Sequence, residues 1–219
     1  MLLLGIDTAT PAVTVALHDG TQVLAEATSV DKHRHAELLA PAIERVLTNA
    51  GVARADLTAI AVGVGPGPFT GLRVGVVTAR VLGAALGVPV HGVCSLDIIA
   101  AAANPGAEFL VATDARRREL YWASYDATGR RTDGPHVSAA ADIPDPARPC
   151  AGEGPGLYPN FLPNGTPTLF PQAATLCSMV VAGAAELLFP EPLYLRRPDA
   201  REPGAPKRVT ETRPAGTRP

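Results

Sequence analysis

A chain of 219 residues with 47% hydrophobic and 18% charged residues has enough apolar surface to bury the core of one large domain or two small lobes. Its net charge of -2 excludes a global pull toward polyanions, so nucleic acid would have to be held by a local patch or by another subunit. Cys94, Cys150 and Cys177 are odd in number and widely spaced, without a C-x-x-C pair, which excludes a disulfide framework and reads as reduced thiols.

The opening MLLLGID has no basic n-region or cleavage site, and Arg80 interrupts the longest apolar stretch. A cytoplasmic protein without membrane contact is expected. Leu2, Leu3, Leu4 and Ile6 form a short buried-strand run ending at Asp7. Val13, Val15 and Leu17 then alternate with smaller or polar residues up to Asp19-Gly20, and the pattern resumes at Val23, predicting a hairpin. Residues 35–49 switch to helical spacing, with Pro41 inside as an expected kink and Gly51 as a stop. Residues 59–64 read as a buried strand, the loop GPGPF follows, and Thr70 is placed to cap a helix to about Leu86. A short strand over residues 88–93 and a short helix over 95–103 close a first lobe at residue 105.

A second, smaller lobe, residues 106–197, opens with FLVATD and ELYWASYD, two strand patterns around a turn containing Arg116, Arg117 and Arg118. It becomes rich in Pro and Gly, then carries a helical pattern over residues 173–188. Residues 198–219 lack apolar periodicity and predict a disordered basic tail. The order of elements indicates an α/β lobe built on a mixed sheet.

Three places bear on chemistry. Asp7, Thr8 and Thr10 at a strand-to-hairpin turn suit either phosphate approach, with Asp7 holding a hydrated cation, or an ordinary polar turn. Gly63, Gly65, Gly67 and Gly71 with Pro66 and Pro68 make a glycine-rich loop at a helix start, which is neither a Walker loop nor a dinucleotide fingerprint; it reads as an anion loop or a rigid turn. The helix that follows is apolar almost all round. Leu72, Val76, Ala79, Gly83 and Leu86 form one stripe and Val74, Val77, Val81, Ala84 and Ala85 form others, so burying one face on a sheet leaves another for a partner. His33 and His35 do not share a helical face and find no third ligand, so no metal site is expected. Nothing marks a nucleophile, since no G-x-S-x-G elbow is present.

The segments LLLGIDTATPAVTVAL, GVGPGPFTGLRVGV, VHGVCSLD, TDARRRELYWASY and EPLYLRR resemble, in this order, the bacterial tRNA threonylcarbamoyladenosine biosynthesis family TsaB, also called YeaZ. The G-P-G-x-F-T-G-[LV]-R motif stands here as Gly65, Pro66, Gly67, Phe69, Thr70, Gly71 and Arg73. The resemblance implies an actin-like ATPase (ASKHA), ribonuclease-H-like two-lobed fold, with mixed sheets flanked by helices. It implies a non-catalytic subunit pairing with the catalytic paralogue TsaD, acting with the ATPase TsaE and meeting tRNA only within that complex. The catalytic relatives' H-x-x-x-H pair is replaced by Ser95 and Ile99, and an isoleucine cannot ligate a metal.

The kinases' second phosphate turn, D-x-G-G, reads Asp114-Ala115-Arg116-Arg117 here. No cofactor is therefore expected, beyond a nucleotide at a subunit interface. The implied partner surface draws on Leu38, Leu39, Ala42, Ile43, Val46, Leu72, Val76, Ala79, Arg80 and Gly83, and two copies would use it to form a homodimer when the paralogue is absent. The competing readings are an actin-like small-molecule kinase or ATPase using Asp7 and Thr8, and a peptidase.

Overall fold

The computed structural model describes residues 1–196, so the expected tail at 198–219 lies outside the described residues. Leu3–Asp7 (β1) is buried along its whole length. Leu4 and Ile6 face one side of the sheet and Leu3 the other, the period of two that a strand covered on both faces requires. Ala12–His18 (β2) and Val23–Val30 (β3) form the expected hairpin, whose turn is closed by the Asp19 carboxylate accepting from the amides of Thr21 and Gln22. Ala59–Gly63 (β4) and Val90–Val93 (β5) extend β1 in parallel, giving the order β3-β2-β1-β4-β5.

His35–Ala50 (α1) and Phe69–Leu86 (α2) cover one face of this sheet. Helix α1 runs through Pro41, which lies on its exposed side, and stops at Gly51 in the left-handed conformation. Helix α2 starts one residue before Thr70. Pro68 occupies the cap position without a side-chain hydrogen bond, and Thr70 sits exposed inside the first turn rather than capping it. With a mean hydropathy of 1.4, α2 is long and apolar enough to cross a membrane despite Arg80. What distinguishes it is its packing, because Gly71, Leu72, Gly75, Val76, Ala79 and Gly83 are buried within the chain.

Ser95–Ala103 (α3) lies between two sheets, with Ile98 packed toward β1 and Leu96, Ile99 and Ala100 packed with Phe109, Val111 and Tyr125. The second sheet has the order β8-β7-β6-β9, formed by Phe109–Asp114 (β6), Glu119–Tyr125 (β7), Arg131–Ala139 (β8) and Cys150–Ala151 (β9). Strands β8 and β9 and the short helix Gly154–Leu157 (α4) carry no clear apolar period, which hides them in the Pro- and Gly-rich stretch. The Tyr125 hydroxyl donates to Asp97 at 2.8 Å and so ties this sheet to α3.

The helix expected over residues 173–188 is shorter. Ala173–Val181 (α5) ends before Gly183, whose φ of 66° halts it, and Leu188 instead bridges to Gly92. Helix α5 packs on Leu3 and Ala16 of the first sheet, and Leu193 donates its amide to the Val64 carbonyl. By packing, then, residues 173–193 join the first sheet, which corrects the linear division at residue 105.

Adjacent valines on α2 report which face is which: Val76 is 1% exposed and Val77 is 53% exposed. Val76→Ala is expected to cost about 2 kcal/mol and Val77→Ala less than about 0.5 kcal/mol, as measured by urea denaturation.

Candidate functional site

The turn after β1 is pressed into the side of α2. The Thr8 hydroxyl donates to the Gly71 carbonyl at 2.7 Å and accepts from the Gly75 amide at 2.9 Å, bridging a pair of groups that an ordinary helical turn would join directly. So close an approach requires that Gly75 have no side chain, since a Cβ there would sit 2.4 Å from the Thr8 hydroxyl oxygen. A Cβ on Gly67 would likewise sit 2.2 Å from the Ala9 carbonyl oxygen. The motif glycines therefore serve the chain's own strand-to-hairpin turn.

Asp7 lies beneath this turn, fully buried. Its carboxylate accepts from the Ser95 hydroxyl at 2.6 Å and from the Ala9 amide at 2.8 Å, and Ser95 also receives the Gly65 amide at 3.1 Å. Burial pushes the Asp7 carboxyl up to about 6, against the pull of those two hydrogen bonds. Thr10 accepts the Ala12 amide at 3.3 Å on its hydroxyl. Its carbonyl takes a 2.8 Å hydrogen bond from His35 Nε2, which must be protonated to donate it. The polar atoms of Asp7 and Thr8 are thus occupied internally, which corrects their assignment to phosphate and cation contact. His35 points inward while His33 is exposed, so the two imidazoles part as the spacing implied.

A cleft of about 450 Å³ opens between the heads of α1 and α2 and the β6–β7 turn, lined by Thr8, Thr10, Lys32, His33, Phe69, Thr70 and Arg116 among others. Arg116, Arg117 and Arg118 all adopt left-handed backbone angles, with φ of 61°, 55° and 63°. Each such residue costs about 1–2 kcal/mol. Arg116 pairs with Asp114 at 3.1 Å, and the β6–β7 turn is a strained cationic knuckle.

The remaining motif residues head α2. Phe69 stacks on Tyr194 with centroids 5.2 Å apart, and the Arg73 guanidinium lies 3.7 Å from the Phe69 centroid and donates from Nε to the Tyr194 hydroxyl at 2.8 Å. Tyr194 was not singled out in the sequence, where EPLYLR carries no local signal for a contact 121 residues away.

The proposed partner surface divides. Leu39, Ala42, Ile43, Val46, Leu72, Val76 and Ala79 are buried on the sheet, and Gly83 is backed against Val90, where a Cβ would sit 2.3 Å away. They belong to the core and are corrected as partner contacts. Arg80 is exposed and Leu38 half-buried. The face left open carries Phe69, Arg73, Val77, Arg80, Val81, Ala84 and Ala85 on α2, with Ala36, Ala40 and Pro41 on α1. A shallow groove of about 520 Å³ runs between the two helices.

Two measurements check this site. Gly75→Ala is expected to cost about 3 kcal/mol, and about 1–2 kcal/mol less in a Thr8→Ala background, where the obstructing hydroxyl is gone; a double-mutant cycle reads the coupling. For Asp7, the folded state binds the proton more tightly than the unfolded one. The contribution is therefore present below about pH 4 and is lost as the pH rises through about 6, in all about 3 kcal/mol. Asp7→Asn is expected to remove that loss, so that it equals the parent chain near pH 4 and exceeds it in stability at pH 7.

The profile of the family described as tRNA N6-adenosine threonylcarbamoyltransferase, TsaD, matches residues 22–148, more than half of the chain. An uncharacterized protein of Mycobacterium tuberculosis is 48% identical over 203 residues, covering 91% of this chain and 93% of that one. The tRNA threonylcarbamoyladenosine biosynthesis protein TsaB of Escherichia coli is 39% identical over 135 residues, 57% of this chain and 55% of that protein. The solved structure of YeaZ from Pseudomonas aeruginosa superposes with a TM-score of 0.75 at 34% identity, over 89% of this chain and 99% of that one. On the profile and this superposition, the chain belongs to the TsaB (YeaZ) family, within the wider TsaD-type group.

Proposed function

We propose that this chain is a non-catalytic subunit in the biosynthesis of tRNA threonylcarbamoyladenosine, which pairs through α1 and α2 with a catalytic paralogue of the TsaD type. The observation that carries the reading is the uncovered apolar face of α2, where Val77 and Val81 are 53% and 63% exposed and Val77 lines the groove between α1 and α2. Valines at such exposure on a helix already packed on its other side are suited to a partner helix. The absence of catalysis by this subunit is supported by Ile99, which lies in the core between the sheets, and by Ser95, whose hydroxyl is spent on Asp7. Neither residue supplies a metal ligand where the catalytic relatives carry histidines.

In this reading the ATPase TsaE joins the assembled pair, tRNA is met only in the complex, and the work is done in the cytoplasm. A nucleotide phosphate at the subunit boundary would find Lys32, His33 and Arg116 in the cleft. The same helical face is open to a second copy when the paralogue is absent. The rival reading, an actin-like small-molecule kinase or ATPase, needs Asp7 and Thr8 free to meet a magnesium nucleotide, and both are engaged inside the fold.

Size-exclusion chromatography of the chain mixed with the TsaD-type paralogue from the same genome tests the proposal. Co-elution is expected for the parent chain and its loss for Val81→Asp, with an unchanged circular dichroism melt. No ATP turnover is expected from the isolated subunit. Steady hydrolysis by it, or co-elution indifferent to Val81→Asp, overturns the reading.

A further inference from the structure

Helix α2 contains no acidic residue, and the charges on its open face are two cations. Arg73 and Arg80 lie on one side of the helix about two turns apart, with Val77 between them. Arg73 is held in place. Its Nε bonds Tyr194 at 2.8 Å and its guanidinium packs 3.7 Å from the Phe69 centroid. Tyr194 is itself fixed by the strap that carries it, through the Leu193 amide on Val64 and Arg196 on the Ala115 carbonyl at 2.9 Å. Among the described residues the Arg73 guanidinium makes no ion pair and no second hydrogen bond. An arginine fixed by stacking and one neutral hydrogen bond loses little side-chain freedom on docking, and its remaining donors suit a carboxylate.

We infer that Arg73 is a preorganised anchor for a carboxylate on the partner's docking helix, set beside an aliphatic side chain that enters the groove between α1 and α2. This rests on the reading of that face as the docking surface. Charge selects the occupant. A second copy would bring its own Arg73 and Arg80 against the same cations, while the exposed acids of α1, Glu37 and Glu44, are already paired with Arg34 at 2.8 Å and Arg54 at 3.6 Å. The occupant is therefore a different chain, whose contact helix carries acid and aliphatic residues. Tyr194 is a positioning residue that acts through Arg73.

The test is calorimetric titration of the full chain with the TsaD-type paralogue at low and high salt. Arg73→Gln is expected to raise Kd about thirtyfold and to flatten its salt dependence, as loss of one charge-assisted contact requires. Tyr194→Phe keeps the ring stack but frees the guanidinium, and is expected to raise Kd about threefold to tenfold with the salt dependence retained. Val77→Asp separates the two claims. If it leaves binding intact, the docking face is misplaced and the anchor falls with it. If it abolishes binding while Arg73→Gln changes Kd less than about twofold, the face stands and the anchor is overturned. Self-association as tight as the mixed complex, and dependent on Arg73, overturns the choice of occupant.

Discussion

The Thr8 hydroxyl, lodged between the Gly71 carbonyl and the Gly75 amide, is the contact on which the first lobe turns. It fixes how closely the strand-to-hairpin turn approaches α2, and that distance fixes which side of the helix meets the sheet. Gly67 and Gly75 are needed because the turn leaves no room for a Cβ, and Asp7 is sealed below because the turn closes over it. The turn after β1 thus serves as a clasp between strand and helix. The hydroxyl's one proton goes to Gly71 and a lone pair takes the Gly75 amide, so both of these bonds lie within the clasp.

Placing α2 in this way partitions its residues into two apolar populations. Leu72, Val76 and Ala79 are sealed in the lobe, whereas Val77 and Val81 leave more than half of their surface open. Large aliphatic groups thus stand open beside Arg73 and Arg80, which make no ion pair among the described residues. The rigidity of Arg73 belongs to the same logic. The strap that carries Tyr194 crosses from β5 past Val64 to the head of α2 and, through Arg196, on to the β6–β7 turn.

The buried acid is the counterpart to that open face. Among the described residues, ionised Asp7 has a hydroxyl and an amide beside it and no cation, so its retention is costly to stability near neutral pH. Cys94, Cys150 and Cys177 are pushed up to about 12 by burial and stay as thiols.

The sequence by itself determined the elements with strong periods: β1 through Leu3, Leu4 and Ile6, the hairpin turning at Asp19-Gly20, α1 stopped by Gly51, and α2 running to about Leu86. It also determined the family motif from Gly65 to Arg73. It did not reveal β8 and β9, whose pairing depends on neighbours and not on local pattern, nor the early end of α5, where Gly183 leaves room for Leu188 to bridge Gly92. Nor was the facing of α2 legible, because a helix apolar on all sides has no solvated stripe to orient it. Only the tertiary structure chose that Gly75 and Ala79 go inward and Val77 outward, and the reason is steric: a turn bearing Thr8 fits against glycine and not against valine.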